Sequence, residues 1–190
     1  MKAIAKDLLS RQDWVILDTE TTGLDSQAEA VQIGVLSAAG DVLLDTLVKP
    51  VRPLTAELTA IHGITNEMVS TAPTFVEILP QLHQAVGGKT VVVYNAPYDH
   101  RIITQSYFPY RKLRSAVDFD MMTDIMGAKW LDVMAPYAEH YGEWDTYRQS
   151  YRWQKLVNAV RQQGLKVANA HTAIGDCLLT MALIKAVANS

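Results

Sequence analysis

Five residues in this sequence are of types that together can cut a phosphodiester. Asp18 and Glu20 close the run Val15-Ile16-Leu17-Asp18-Thr19-Glu20-Thr21-Thr22-Gly23, and Asp99, His171 and Asp176 lie far downstream. Side chains alternate along a strand, so Asp18 and Glu20 share one face, with backbones roughly 6.6 Å apart. Alone the two carboxylates repel, but they can share a pair of divalent cations about 4 Å apart. Four carboxylates with a histidine nearby are what two-metal phosphodiester hydrolysis requires. The cations lower the pKa of the attacking water and hold charge on the phosphate. A histidine of ordinary pKa ~6.5 takes the water's proton near neutral pH. Oxygen-only ligands suit Mg²⁺ or Mn²⁺ better than zinc. Taken singly, each residue has a plain alternative: Asp-x-Glu as the exposed acidic end of a strand, Asp99 as a surface helix cap, His171 as a cap or surface residue.

The flanking patterns say which elements must hold these residues. Val15 to Leu17 reads as a short central strand, broken by Thr21-Thr22-Gly23, where Gly23 lets the backbone turn and approach a ligand. Val31, Ile33 and Val35 alternate with Gln32 and Gly34 as a second strand does. Ala39-Gly40-Asp41 is a hairpin signal leading to a third strand from Val42 to Val48, so the opening is antiparallel. Leu54 to His62 has the length of a short helix stopped by Gly63, and a one-turn helix is expected around Glu67 to Val69. Thr74 and Glu77 have capping-box spacing, and Phe75, Ile78, Leu79, Leu82 and Val86 form one apolar stripe before Gly87-Gly88.

The β-branched run Thr90 to Tyr94 reads as a buried strand, and Pro97 opens the helix after it. Asp99 falls in that helix's first turn, where the dipole favours a carboxylate. It shares a face with Ile102 and Ile103 and therefore points toward the sheet. A further strand is expected over Ala116 to Phe119, with a helix from Asp120 to about Met126. Lys129 to Tyr151 reads as helix plus loop. Trp153, Leu156, Val157 and Val160 mark an amphipathic helix ending at Gly164. The last helix, Thr172 to Val187, is apolar along Leu179, Leu183 and Val187 and carries Asp176 on that face. His171, five residues earlier, would stand about 140° away from Asp176 on a regular helix. It must therefore sit in the preceding loop to share a site.

The 190 residues, 49% of them hydrophobic, suit one domain spanning 1–190 with its core over about 13–187. No apolar run approaches the ~18 residues of a membrane span, and the N-terminus lacks the apolar stretch of a signal peptide, so a cytoplasmic protein without membrane contact is expected. The single cysteine, Cys177, can make no internal disulfide and is expected to pack in the core. A net charge of −3 gives no overall attraction to nucleic acid. Local cations would have to supply it: Arg111-Lys112-Arg114, or Arg148, Arg152 and Lys155, though charge alone favours reading each as a solvated face. Strands alternating with helices after an antiparallel opening suggest an α/β mixed sheet with helices on its faces.

Three segments resemble a known family. Asp18-Thr19-Glu20-Thr21-Thr22-Gly23, Asn95-Ala96-Pro97-Tyr98-Asp99 and His171-Thr172-Ala173-Ile174-Gly175-Asp176 look like the three exonuclease motifs of the DEDDh branch of the DEDD 3′–5′ exonucleases. The resemblance spans residues 13 to 186 in the family's order. It implies a ribonuclease H-like fold with a mixed five-stranded sheet flanked by helices. It also implies Asp18, Glu20 and Asp176 as ligands of two Mg²⁺ or Mn²⁺ ions, Asp99 on the second ion directly or through water, and His171 as general base. Ala60-Ile61-His62-Gly63-Ile64-Thr65 resembles a segment lining the terminal-nucleotide pocket. Thr21, Thr22, Gly23 and Leu24 would complete that pocket, with Ile61 and Tyr98, and His62 would contact substrate without proton chemistry. Tyr98 replaces a phenylalanine common among relatives, and Pro97 a small residue.

The implied activity is metal-dependent release of nucleoside 5′-monophosphates from 3′ ends of DNA, single-stranded or frayed duplex. An RNA-directed enzyme of the ribonuclease T or oligoribonuclease kind is the alternative, and a non-catalytic nucleic-acid-binding module the remote one. Only Ala188-Asn189-Ser190 follow Val187, from which a stand-alone nuclease or one recruited through its surface to a larger nucleic-acid-processing complex is expected; a homodimer is a separate alternative. The aromatic segment Trp130 to Trp153, with Arg148 and Arg152, is a candidate for strand contacts, and equally a core patch or a dimer surface.

Overall fold

A computed structural model describes residues 1–110, 115–167 and 170–190; the basic run Arg111-Lys112-Arg114 lies outside them. The chain begins with α1 (Lys2–Leu9), followed by β1 (Trp14–Thr21), β2 (Ala30–Ser37) and β3 (Val42–Leu47). Three helices follow: α2 (Ala56–His62), α3 (Asn66–Ser70) and α4 (Phe75–Val86). Next come β4 (Thr90–Val93), α5 (Ala96–Tyr107), α6 (Ala116–Gly127), β5 (Lys129–Asp132) and α7 (Met134–Tyr141). A small hairpin of β6 (Trp144–Asp145) and β7 (Ser150–Tyr151) leads to α8 (Leu156–Gln162) and α9 (Ala173–Asn189).

The five-stranded sheet has the order β3-β2-β1-β4-β5. Its first three strands are antiparallel and β1, β4 and β5 are parallel. The strands β1, β2 and β4 divide side chains between two main cores. Val15, Leu17, Ile33, Val35, Val91 and Val93 pack under α4, α5 and α6. Trp14, Ile16, Leu36 and Val92 pack under α1, α7, α8 and α9. By the same alternation Asp18 and Glu20 emerge on the α9 face, and Thr19 and Thr21 on the α5 face.

Local signals account for most boundaries. Thr74 and Glu77 form the capping box of α4, Gly63 ends α2 in the left-handed region at φ 75°, and Pro97 occupies the first turn of α5, where no N–H is needed. α2 begins after the Thr55 cap, two residues beyond its expected start. Three expectations need correction, and one element was not foreseen. Ala116 to Phe119 is the first turn of α6, because Ser115 and Asp118 form a capping box that the apolar residues there masked. The fifth strand lies instead at Lys129–Asp132, inside the segment read as helix plus loop. Trp153 stands outside α8, exposed to solvent. The N-terminal residues, read only for their lack of a signal sequence, form α1, locked on by the Trp14 indole N–H donating to the Leu8 carbonyl (2.7 Å). Cys177 is fully buried, as expected.

Candidate active site

The site lies beyond the C-terminal ends of β1 and β4, the end at which open α/β sheets generally bind ligands. Asp18 and Glu20 leave β1 toward α9, and Asp176 comes down from the first turn of that helix. Ligand oxygens of these three carboxylates lie within 4.8 Å of one another. Asp99 stands just outside this triad: its Oδ1 accepts a hydrogen bond from the Thr19 hydroxyl (2.7 Å), across the sheet edge from α5. A cavity of about 180 Å³ is lined by all four carboxylates together with His171, Asn95, Tyr94 and Leu156.

Two residues of β2, seen in the sequence only as alternation partners, set the approach of α9. Gly34 pairs with Asp18 and Gln32 with Glu20. A Cβ on Gly34 would come within 2.8 Å of the Ala173 backbone, so only glycine lets the start of α9 lie against the strand. The Gln32 side-chain oxygen accepts from the Ala173 N–H (3.2 Å), and the Cys177 thiol lies against the Gly34 carbonyl (3.6 Å). The available signal was a glycine inside a strand pattern, which often marks close backbone approach.

The electrostatics follow from this crowding. Burial, then the neighbouring Asp99, Asp176 and Glu20 charges, hold the Asp18 carboxyl well above its usual range. Burial and the Asp176 and Asp99 charges push Glu20 up to about 7. Asp99 also rises to about 7 through burial, although the Thr19 hydroxyl pulls the other way. Asp176 is raised by burial and eased by the His171 backbone N–H and charge. His171 precedes α9 in the loop, with φ at 68°, a left-handed conformation rare outside glycine. Its N–H points back at Asp176 Oδ1 (3.4 Å).

A second hollow of about 370 Å³ shares Thr19, Glu20, Asn95 and Tyr98 with the first. It is also lined by Thr21, Gly23, Leu24, Ile61 and His62. Thr22 is not among its lining residues; its hydroxyl accepts the Glu29 N–H (3.0 Å) and braces the turn. Leu24 and Ile61 flank the hollow at 81% and 56% exposure. His62 is buried, its Nδ1 accepts the Ile64 N–H (3.1 Å), and burial lowers its pKa against an opposing pull from the Thr21 backbone. The Tyr98 hydroxyl donates to the Gly23 carbonyl (2.8 Å) and stands 2.7 Å from the Thr21 hydroxyl. Arg101 stacks over the Tyr98 ring at 5.2 Å and donates to the carbonyl oxygens of Asp25 and Leu24. Larger hollows of about 540 and 780 Å³ elsewhere contain none of the four site carboxylates.

Residues 15–184 match the family model RNase_T, described as exonuclease. The chain is 40% identical to the uncharacterized exonuclease CP81 of Escherichia phage 186, covering 93% of this chain and 88% of that protein. It is 32% identical to a DNA polymerase III subunit epsilon-like protein of Rhodobacter capsulatus, where the match covers 88% of this chain but only 27% of the relative. Among solved structures, exonuclease X in complex with 5′ overhanging duplex DNA superposes with a TM-score of 0.66 at 25% identity, over 93% of this chain and 92% of that one. The shared sheet is that of the ribonuclease H-like exonucleases. With a family match across nearly the whole chain and three exonuclease motifs gathered at one sheet end, the protein belongs to the exonuclease family of the DEDD 3′–5′ superfamily.

Proposed function

We propose that this protein is a metal-dependent exonuclease that removes nucleoside 5′-monophosphates from 3′ ends of DNA, with His171 as general base. The observation that carries this reading is the triad of Asp18, Glu20 and Asp176 oxygens within 4.8 Å, opening on the same cavity as His171 and Asp99. The donor set fits a hard divalent cation: every ligand is an oxygen, and the carboxyl pKa values are raised first by burial and then, at Asp18, Glu20 and Asp99, by neighbouring negative charge that bound cations would offset. Asp18, Glu20 and Asp176 would hold the metal, with Asp99 serving a second ion directly or through water. When bound, Mg²⁺ or Mn²⁺ supplies an activated water and neutralises charge building on the phosphate.

The remaining steps belong to the chain's own side chains. His171, exposed at the cavity edge, accepts the proton of the attacking water at a ring nitrogen and releases it to solvent. Thr19 holds Asp99 in place through its hydroxyl. The terminal nucleotide enters the adjoining hollow, where Leu24 and Ile61 flank its base. His62, kept neutral by burial and fixed by the Ile64 N–H, contacts the nucleotide and leaves its proton in place. DNA as substrate is supported by the DNA polymerase III subunit epsilon-like relative and the DNA-bound exonuclease X.

The test is a time course on matched 5′-labelled DNA and RNA strands with Mg²⁺, Mn²⁺ or chelator. Stepwise shortening of the DNA only with metal is expected. Asp18→Ala should lower the rate by about three orders of magnitude or more, the several kcal/mol of metal stabilisation lost, and His171→Ala by ~10²–10⁴-fold. Full activity in Asp18→Ala would overturn the catalytic assignment, and faster digestion of RNA would overturn the DNA preference.

A further inference from the structure

The aromatic segment before α8 divides in two. Trp130 turns inward: it packs against the core under α5 and meets the His100 ring edge-on at 5.1 Å. The hairpin of β6 and β7 turns outward. Trp144 and Tyr151 pack edge to face across it, 5.1 Å apart at 82°, and hold its shape. Tyr147 at its tip and Trp153 just beyond β7 are 95% and 68% exposed. Large aromatic rings exposed on one short segment mark an interaction surface.

The charges nearby have an unequal disposition. Arg152 pairs with both carboxylates of the hairpin, Glu143 (3.1 Å) and Asp145 (3.8 Å). Arg148 and Lys155 make no ion pair within 4.0 Å among the described residues, although the Arg148 charge also acts on the Asp145 carboxylate. The hairpin is also fastened to the catalytic cavity. Gln154, buried between Trp153 and Lys155, donates to Glu143 (3.1 Å) and to the Arg152 carbonyl (3.0 Å). Its own carbonyl accepts the hydroxyl of Tyr94, a residue lining that cavity (2.7 Å). Leu156, three residues after Trp153, lines it as well, and three residues of chain reach no more than about 11 Å.

We propose that the β6–β7 hairpin with Trp153 is a stacking platform for the single strand upstream of the 3′ terminal nucleotide. Bases stack on Tyr147 and Trp153, and Arg148 and Lys155 meet the phosphates. The proposal rests on the nuclease reading of the neighbouring cavity. Exposed aromatic rings suit any base, and the cations on the same segment suit a polyanion. A second copy of this acidic chain would supply no such charge pattern.

The test uses the full chain with Ca²⁺ in place of Mg²⁺, to slow cleavage, and a long 5′-fluorescein oligothymidylate. In the wild type, binding should quench tryptophan fluorescence. Trp153→Ala should remove part of that quenching, and Tyr147→Ala with Trp153→Ala should raise Kd by about tenfold or more, while Trp153→Phe keeps most of the affinity. With Mg²⁺ restored, hydrolysis of thymidine 5′-monophosphate p-nitrophenyl ester, which has no upstream strand, should be unchanged in all variants. An unaltered Kd for the long strand in the double variant overturns the platform. A lower sedimentation mass at unaltered Kd overturns it in favour of self-association. A wild type that binds the strand with quenching yet, given Mg²⁺ or Mn²⁺, cleaves neither substrate refutes the exonuclease reading and leaves the platform standing, so the two failures are distinct.

Discussion

Asp18, Glu20 and Asp176 are buried together, and the cost of burial, with crowded charge added at Asp18 and Glu20, shows in the protons they hold. Glu20 keeps its proton up to about pH 7 in the folded chain against 4.5 ordinarily, and Asp99 up to about 7 against 3.8. Across that interval the folded chain binds more protons than the unfolded one. Its contribution to stability is therefore full below the ordinary carboxyl range and is lost as pH rises through about 7. Metal-free protein should show a falling Tm from about pH 5 to pH 8, and Mg²⁺ or Mn²⁺ should raise Tm more at the upper end. Asp18→Asn should raise the metal-free Tm at pH 8 and blunt the metal response; thermal scans with and without chelator check both. Tyr98 acts differently, because its hydroxyl holds the Gly23 carbonyl. Tyr98→Phe should raise KM about two- to tenfold, the worth of a net hydrogen bond of ~0.5–1.5 kcal/mol, while kcat changes little. Steady-state kinetics separates the two parameters.

Individual elements matter here for where they begin. The first turn of α9 carries Asp176, and its position depends on β2 rather than on its own residues: Gly34 makes room and Gln32 accepts the Ala173 N–H. Gly34→Ala would push the start of α9 off the strand. It should cost about 1–3 kcal/mol of stability, as overpacking does, and lower kcat by about 10²-fold if the shift reaches an ångström. Urea unfolding and initial rates measure these separately. The start of α5 is held from outside as well. Asn95 makes no side-chain cap there; instead Asp132 at the end of β5 accepts the Ala96 N–H (3.0 Å) and, with its other oxygen, the Ala135 N–H at the start of α7 (2.8 Å). The Ser115 and Asp118 box that makes α6 a helix shows the reverse case, a local signal overriding β-like composition.

At the scale of the whole molecule, an acidic chain with a carboxylate-lined cavity must bind a polyanion through few contacts. No helix among the described residues is long and apolar enough to cross a membrane. With Arg148 and Lys155 of the hairpin segment making no ion pair within 4.0 Å among the described residues, affinity for a single strand should depend weakly on salt. A slope of log affinity against log salt near −1.4 is expected, from about −0.7 per phosphate. Arg148→Ala should reduce it by about 0.7, which anisotropy titrations at several salt concentrations would show.

Residue types, their order and their local periods carried most of the site. Asp18 with Glu20, Asp99 in a helix's first turn facing the sheet, and His171 in the loop before Asp176 were all legible, because alternation in strands and the helical period are short-range. The hairpin at Ala39-Gly40-Asp41 and the capped α4 were legible for the same reason. Only the tertiary structure decided which helix covers which face of β1, and so that Asp18 and Glu20 meet Asp176 under α9 while Asp99 is held from the α5 side by Thr19. It alone assigned Gln32 and Gly34 to the seat of α9, turned Trp130 into the core and left Trp153 in solvent. These outcomes depend on contacts between residues far apart in the chain, where packing and close backbone approach select one arrangement among several that the local pattern permits.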